Sequence, residues 1–172
     1  MSFYTDLRSS LFGNDHWTTR ENGFGLMELR IVIVDDNPEY RFLLKQFIER
    51  GTTFSVVGEA ENGQEAVRLV NELMPQVVVM DVMMPVMNGV EATQAIKDLH
   101  PGVCVIALTH SMDDSHARDM LAAGADWYFL KSDPVEQLLN QLDTIEPTRD
   151  FAASESRGSL LTQAPVPPPL DL

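Results

Sequence analysis

The stretch QVVVMDVMMPVMNG at residues 76–89 decides the fold of this 172-residue chain. Its apolar part, residues 77–80, predicts a short strand that is buried on both faces of a sheet. The strand ends at Asp81, and Pro85 and Gly89 then indicate a loop and a turn before a helix. Because a buried carboxylate is costly unless something pairs with it, Asp81 indicates a functional site at the end of this strand.

An earlier strand ends in the same way. Residues 31–34, IVIV, run directly into Asp35 and Asp36. If the two strands are parallel neighbours, three carboxylates meet at the sheet edge where open α/β sheets bind ligands. Two unit charges about 4 Å apart repel by roughly 4 kcal/mol at an effective dielectric near 20. The carboxylates would therefore take up protons or hold a cation, and hard oxygen ligands favour Mg²⁺. The alternative is a sheet edge that ends in solvated acids.

Apolar strands alternate with amphipathic helical patterns along residues 29–145, and two further strands end at Thr109 and Lys131. This alternation predicts an α/β fold in which a five-stranded parallel sheet has helices on both faces. Two acids, a separate aspartate, a hydroxyl and an ammonium at the strand ends suit phosphoryl transfer to a carboxylate. Such transfer depends mainly on positioning and charge neutralisation.

Composition and charge narrow the class of protein. The net charge is −14, and residues 29–145 carry 18 acidic and 8 basic side chains, which argues against a nucleic-acid surface. The single cysteine, Cys104, lies in an apolar run and is expected to be a core residue. The sequence has neither an apolar run long enough for a membrane span nor a secretory signal, so a cytoplasmic protein is expected.

The two flanks differ from the central region. We expect residues 1–28 to be an N-terminal extension, either disordered or containing a short amphipathic helix, because Phe3, Leu7 and Leu11 recur at helical spacing. Residues 146–172 hold five of the ten prolines and are expected to form a disordered tail. The domain boundaries are therefore predicted at residues 29 and 145.

Four motifs together resemble the receiver domain of two-component response regulators. In chain order they are IVIVDD at 31–36, DVMMPVMNG at 81–89, LT at 108–109 and AAGADWYFLK at 122–131. The resemblance covers residues 29–145. It implies a flavodoxin-like parallel sheet with the strand order 2-1-3-4-5.

The resemblance also implies roles for individual residues. Asp81 would be the phosphoacceptor, and Lys131 and Thr109 would contact the phosphoryl group. Thr109 and Tyr128 would form the conformational switch. Mg²⁺ would be bound directly by Asp36, by Asp81 and by the carbonyl of Met83, whereas Asp35 would assist through water.

Two positions depart from the family pattern. Ser132 follows Lys131 where the family usually has proline, which puts the geometry of that loop in question. His110 follows Thr109 where a small residue is usual. We expect the His110 ring to overhang Asp81 and shield it; the alternatives are a hydrogen bond to the phosphoryl group or a ring that faces solvent.

The resemblance implies a histidine kinase or a histidine phosphotransfer protein as phosphodonor. Output is expected through the face around residues 112–124 and 126–130, toward an unknown partner protein or a homodimer, with no direct nucleic-acid binding and no membrane. The chain would be a stand-alone receiver; the alternative is a receiver fragment of a longer DNA-binding regulator.

Two other functions compete with this interpretation. A Mg²⁺-dependent phosphatase with Asp81 as nucleophile would need a second acid where Met83 stands. A flavin-binding electron carrier would need a glycine- and hydroxyl-rich phosphate loop where Asp35 and Asp36 stand, and these acids would repel phosphate.

Overall fold

A computed structural model describes residues 28–50, 54–110 and 114–145. The N-terminal extension with its candidate helix, the Pro-rich tail and the predicted start of the fourth helix at 111–113 lie outside these residues. Within the described part of the chain, no helix is both long enough and apolar enough to cross a membrane.

Strands and helices alternate as predicted. In chain order the elements are β1 (Leu29–Val34), α1 (Pro38–Glu49), β2 (Phe54–Ala60), α2 (Gly63–Leu73), β3 (Val77–Asp81), α3 (Gly89–Leu99), β4 (Cys104–Thr109), α4 (Asp114–Ala122), β5 (Trp127–Leu130) and α5 (Val135–Asp143).

The strands form one parallel sheet in the order β2-β1-β3-β4-β5, which confirms the predicted fold class. In the register of the sheet, Val34 of β1 lies opposite Met80 of β3, and Asp81 lies opposite Leu108 of β4. The carboxyl ends of these strands therefore meet at one edge. This register places the residues that follow β1 beside Asp81.

Each face of the sheet packs against its own helices. On β1, Ile31 and Ile33 face one hydrophobic cluster, whereas Val32 and Val34 face the other, as expected for side chains that alternate along a strand. The first cluster includes buried residues of α1 and α5, and the second includes buried residues of α2, α3 and α4. Both faces are covered, which explains why the central strands are apolar throughout.

Strand β2 is longer than the sequence pattern indicates. The sequence of residues 54–58 predicts a strand that ends at Gly58, but the strand continues to Ala60, and its pairing register shifts between Ile31 and Val32 of β1. The backbone amide of Asp35 donates to the Ala60 carbonyl at 3.1 Å. The extra residues of β2 therefore hold the backbone at the first acidic residue.

An asparagine caps the N-terminus of the helix that follows each of the first three strands. The side chains of Asn37, Asn62 and Asn88 all accept backbone hydrogen bonds from the first turn of α1, α2 and α3. Asn88 also forms a reciprocal capping box with Glu91. These caps fix the loops that follow β1 and β3, which carry the acidic residues.

Gly89 brings the start of α3 against the backbone of Asp81. Its amide donates to the Val82 carbonyl at 2.9 Å. A Cβ atom at Gly89 would lie 2.1 Å from the Asp81 carbonyl oxygen and 2.9 Å from the Val82 Cα atom. Because both neighbours are backbone atoms, a larger residue would have to displace the end of β3.

Replacing Gly89 with Ala should therefore lower the free energy of unfolding. The usual cost of overpacking is roughly 1–3 kcal/mol, which exceeds the gain of about 1 kcal/mol expected from the better helix propensity of Ala. Urea denaturation measures the difference. Gly58→Ala is the control, because the nearest atom to its added Cβ, at 2.8 Å, is the movable Leu73 Cδ1. Equal losses for the two variants would contradict the backbone clash at Gly89.

Candidate functional site

A buried ammonium bridges two buried carboxylates at the carboxyl edge of the sheet. Lys131 Nζ lies 2.5 Å from Asp35 Oδ2 and 2.9 Å from Asp81 Oδ2. The three side chains are at most 5% exposed. A buried carboxylate without a partner would be strongly destabilising, so each acid depends on this lysine. The structure thus brings together residues that follow or end β1, β3 and β5.

The loop after β5 directs Lys131 into the site without the usual proline. The Lys131 amide donates to the Thr109 carbonyl at 2.7 Å. The Leu130 amide donates to the Asp133 carboxylate at 2.9 Å, and the Asp133 amide donates back to the Leu130 carbonyl at 3.0 Å. This reciprocal pair of hydrogen bonds orders the turn that contains Ser132. No cis peptide bond occurs among the described residues.

Three carboxylates form a cluster that suits a hard cation. One carboxylate oxygen from each of Asp35, Asp36 and Asp81 lies within 4.8 Å of the others, and Asp36 is exposed. The Asn37 amide donates to Asp35 Oδ1 at 2.9 Å, which fixes the orientation of that carboxylate. Oxygen ligands with an open side toward solvent fit Mg²⁺, which keeps several waters when bound.

Burial raises the pKa of Asp81 above its ordinary value. The hydrogen bond and charge of Lys131 oppose this effect, the charge of Asp35 adds to it, and a hydrogen bond from the Met83 backbone lowers the pKa. Desolvation is the largest of these influences, so the ionised Asp81 side chain destabilises the folded protein relative to a neutral one.

The loop between Asp81 and Gly89 is anchored but locally strained. The Met87 carbonyl accepts a hydrogen bond from the Gly63 amide at 2.9 Å, which ties the loop to α2. Val86 has a φ angle of +69° and is 79% exposed. A β-branched residue in the left-handed region is strained, typically by about 1–3 kcal/mol.

Thr109 and Tyr128 lie on neighbouring strands. Thr109 is buried at the end of β4. Tyr128 is half-buried opposite Ala107 and packs against the cluster beneath α2, α3 and α4. Thr109 therefore lies at the site edge, and Tyr128 lies on the face of the sheet that includes α4.

Tyr40 belongs to the site, although the sequence analysis did not identify it. Lys131 Nζ lies 4.8 Å from the centroid of the Tyr40 ring. Burial, followed by the charges of Asp35 and Asp81, raises the pKa of Tyr40 to about 12. His110 is exposed, and its ring centroid lies 6.5 Å from that of Tyr40. The position of Tyr40, in the first turn of the helix after the acidic pair, is the only sequence signal for its role.

The acidic, hydroxyl and ammonium groups lie at the strand ends of a parallel sheet with the order 2-1-3-4-5. This combination is typical of signal-receiver domains. A family model for the response regulator receiver domain matches residues 31–143, and the chain belongs to this family. This confirms the family resemblance of the sequence motifs. It also establishes the general class of function, a receiver domain of two-component signal transduction.

Several curated proteins are similar to the chain. The transcriptional regulatory protein LiaR of Bacillus subtilis is 32% identical over 135 residues, which cover 78% of this chain and 64% of LiaR. The nitrate/nitrite response regulator protein NarL of Escherichia coli is 33% identical over 112 residues, which cover 65% of this chain and 52% of NarL. The chain thus spans between half and two thirds of the length of these relatives.

Solved structures show the same fold. A two-component response regulator of the LuxR family from an Aurantimonas species aligns with a TM-score of 0.66 and 32% identity, and covers 76% of this chain and 98% of that chain. The response regulator domain of Thermotoga maritima CheB aligns with a TM-score of 0.64 and 29% identity, and covers 70% of this chain and 99% of that chain.

Asp81→Asn should raise the free energy of unfolding at neutral pH by on the order of 1 kcal/mol, a typical size for one substitution. The amide retains the shape of the side chain but carries no charge to bury. A carboxylate with a raised pKa in the folded state contributes stability that is present below its unfolded pKa and lost as the pH rises through its folded pKa. The gain should therefore shrink as the pH falls toward about 4, the ordinary aspartate pKa.

Urea denaturation at several pH values, without divalent cations, measures this dependence. Asp119→Asn, on an exposed part of α4, is the control for a change in net charge. A stabilisation by Asp81→Asn that did not vary with pH would contradict the buried-charge explanation.

Proposed function

We propose that this receiver domain accepts a phosphoryl group on Asp81 from a histidine kinase or a histidine phosphotransfer protein. The observation that carries the proposal is the contact of one buried lysine with both Asp81 and Asp35 at the strand ends. Asp36 completes an acidic cluster there, and Thr109 ends the neighbouring strand. This set supplies a nucleophile, charge compensation and a cation site.

In the proposed reaction, a carboxylate oxygen of Asp81 forms a bond to phosphorus as the bond between phosphorus and the donor histidine nitrogen breaks. The electron pair of that bond stays on the imidazole. The phosphoryl group brings additional negative charge next to Lys131, whose ammonium can donate to a phosphoryl oxygen. Thr109 is proposed to donate its hydroxyl to another of these oxygens.

Mg²⁺ is proposed as the cofactor of this site. Asp36 and Asp81 would bind it directly, together with the Met83 carbonyl, and Asp35 would assist through water. When bound, Mg²⁺ supplies positive charge against the phosphoryl oxygens. Three carboxylates and one lysine leave the site with net negative charge, which a cation would offset.

We further propose that Thr109 and Tyr128 transmit phosphorylation to the face formed by α4 and β5. Movement of the Thr109 hydroxyl toward the phosphoryl group would change the space available to the Tyr128 ring, which packs against the core on the α4 side. An unknown output protein or a second copy of the chain would read this change. Residues 112 and 113, part of the predicted output face, lie outside the described residues.

A protein donor fits the surface next to the site. Phe42 and Leu43 on α1 are 61% and 53% exposed, and Phe47 is also exposed. Between α1 and α5, a groove of about 170 Å³ reaches Lys131 at one end. Exposed apolar residues in such a patch are typical of protein interaction sites.

The curated relatives favour the alternative of a longer regulator. LiaR is named a transcriptional regulatory protein, and a similar Staphylococcus aureus structure is named a DNA-binding response regulator. We therefore propose that, in a longer protein of this kind, DNA binding would belong to a segment outside the receiver. The domain limits at residues 29 and 145, the stand-alone receiver and the cytoplasmic location stay predictions.

The phosphatase alternative is weaker. Met83 occupies the position where such an enzyme needs a second acid, and the family match is to receivers. The proposed chemistry is limited to gain and loss of the protein's own phosphoryl group.

Incubation with acetyl phosphate and Mg²⁺ should add one phosphoryl group to the protein, as measured by intact mass spectrometry. Asp81→Asn should abolish the gain, because an amide is a poor nucleophile, and chelation of Mg²⁺ should abolish it in the unchanged chain. Phosphorylation should also shift NMR amide resonances in α4 and β5 if the switch proposal holds.

The matched control is Asp119→Asn, which should be phosphorylated normally. Asp119 lies on α4 and is remote in sequence from the acidic motifs. Undiminished phosphorylation of the Asp81→Asn variant would overturn the phosphoacceptor proposal. Resonance shifts confined to the site loops would overturn the proposed output face.

His110→Ala should speed both phosphorylation by acetyl phosphate and loss of phosphate in water. The reason is that the ring is proposed to shield Asp81 from the side of Thr109. A time course of intact mass measures both rates. Slower gain and slower loss would instead indicate a hydrogen bond from His110 to the phosphoryl group. Unchanged rates would indicate that the His110 ring faces solvent and affects neither reaction.

A further inference from the structure

The ring of Tyr40 lies next to the Lys131 ammonium, which also contacts two carboxylates. Two of the directions around Nζ are taken by Asp35 Oδ2 and Asp81 Oδ2, at 2.5 and 2.9 Å. The Tyr40 ring centroid lies 4.8 Å from the same nitrogen. An ammonium within about 6 Å of an aromatic centroid is attracted by the negative face of the ring.

The backbone around Tyr40 is held firmly against the acidic loop. The Tyr40 amide donates to the Asn37 cap at 3.2 Å. The neighbouring Arg41 donates through Nη1 to the backbone carbonyl of Asp35. Hydrogen bonds on both sides therefore fix the first turn of α1 relative to the site. The ring of Tyr40 is placed by this rigid turn and not by a mobile loop.

Lys131 requires such placement more than a shorter or stiffer side chain would. A lysine side chain has four carbons and about 2 kcal/mol of rotamer entropy. The Tyr40 ring and Lys131 both line the groove between α1 and α5, so the ring covers part of the groove wall beside the lysine. Without the ring, water and alternative lysine rotamers would gain access to the site from the α1 side.

We propose that Tyr40 is a positioning residue that holds the Lys131 ammonium in the site through the face of its ring. It acts on phosphorylation through Lys131 and makes no bond to phosphorus itself. The phenol stays neutral at physiological pH, because burial and the nearby carboxylates raise its pKa to about 12, so it is no general base. The expected effect on phosphorylation rests on the proposed function. The contact between Tyr40 and Lys131 is independent of that function.

The test compares three variants of the full chain for phosphorylation by acetyl phosphate. Tyr40→Leu removes the ring and should slow phosphorylation by roughly three- to thirty-fold, the range that corresponds to a desolvated cation–ring contact. Tyr40→Phe keeps the ring and should restore most of the rate. Leu99→Ala is the control, because Leu99 is 59% exposed and lies at the end of α3 that is farther from Asp81.

A double-mutant cycle for unfolding tests the contact independently of phosphorylation. Tyr40→Leu changes the unfolding equilibrium constant by some factor in each background. This factor should be at least three times larger in the chain with Lys131 than in the Lys131→Gln background. Lys131→Met provides a second background of similar length if the first does not fold. Equal effects in both backgrounds would overturn the contact.

The two measurements distinguish a failure of the proposed function from a failure of the inference about Tyr40. If the unchanged chain takes up no phosphoryl group, the proposed function fails, while the unfolding cycle still decides on the contact. If the chain is phosphorylated but Tyr40→Phe is as slow as Tyr40→Leu, the hydroxyl and not the ring matters, and the inference is wrong. A Tyr40→Leu rate equal to that of the unchanged chain and of Leu99→Ala would also overturn it.

Discussion

The bridge from Lys131 to Asp35 and Asp81 is the interaction on which the site depends. Two buried carboxylates in one place would otherwise repel each other and lose their hydration. The lysine compensates both, and it can do so only because the ends of β1, β3 and β5 lie along one edge of the sheet. Parallel strands produce this edge, and the strand order sets which residues meet there.

The surrounding structure holds Asp81 where its charge is unfavourable. Burial raises the pKa of Asp81, and Val86 is kept in a strained conformation in the following loop. Gly89 permits the close approach of α3 to the Asp81 backbone, and asparagine caps fix the adjoining helices. Such features reduce stability or restrict sequence, and they are typical of functional sites, where strain and unfavourable charge are maintained by the rest of the fold.

Most of the fold, and the meeting of Asp35, Asp81 and Lys131 at one edge of the sheet, could be predicted from the sequence. Apolar strands that end at Asp81, Thr109 and Lys131 give a clear periodic signal, and a buried acid requires a partner. The extension of β2 and its register shift were not predicted, because they depend on pairing with β1. The contribution of Tyr40 was not predicted either, since its contact with Lys131 joins α1 to the end of β5, and one sequence contains no direct record of that contact.

The most direct test of the central claim is to locate the phosphoryl group by chemistry. Borohydride reduces an acyl phosphate to an alcohol, so reduction of the phosphorylated chain followed by peptide sequencing in the mass spectrometer identifies the modified side chain. We expect the reduced residue to be Asp81, with Asp35 and Asp36 unchanged. Reduction at another carboxylate, or a phosphoryl group that resists borohydride, would contradict the assignment of this strand end as the phosphoacceptor site.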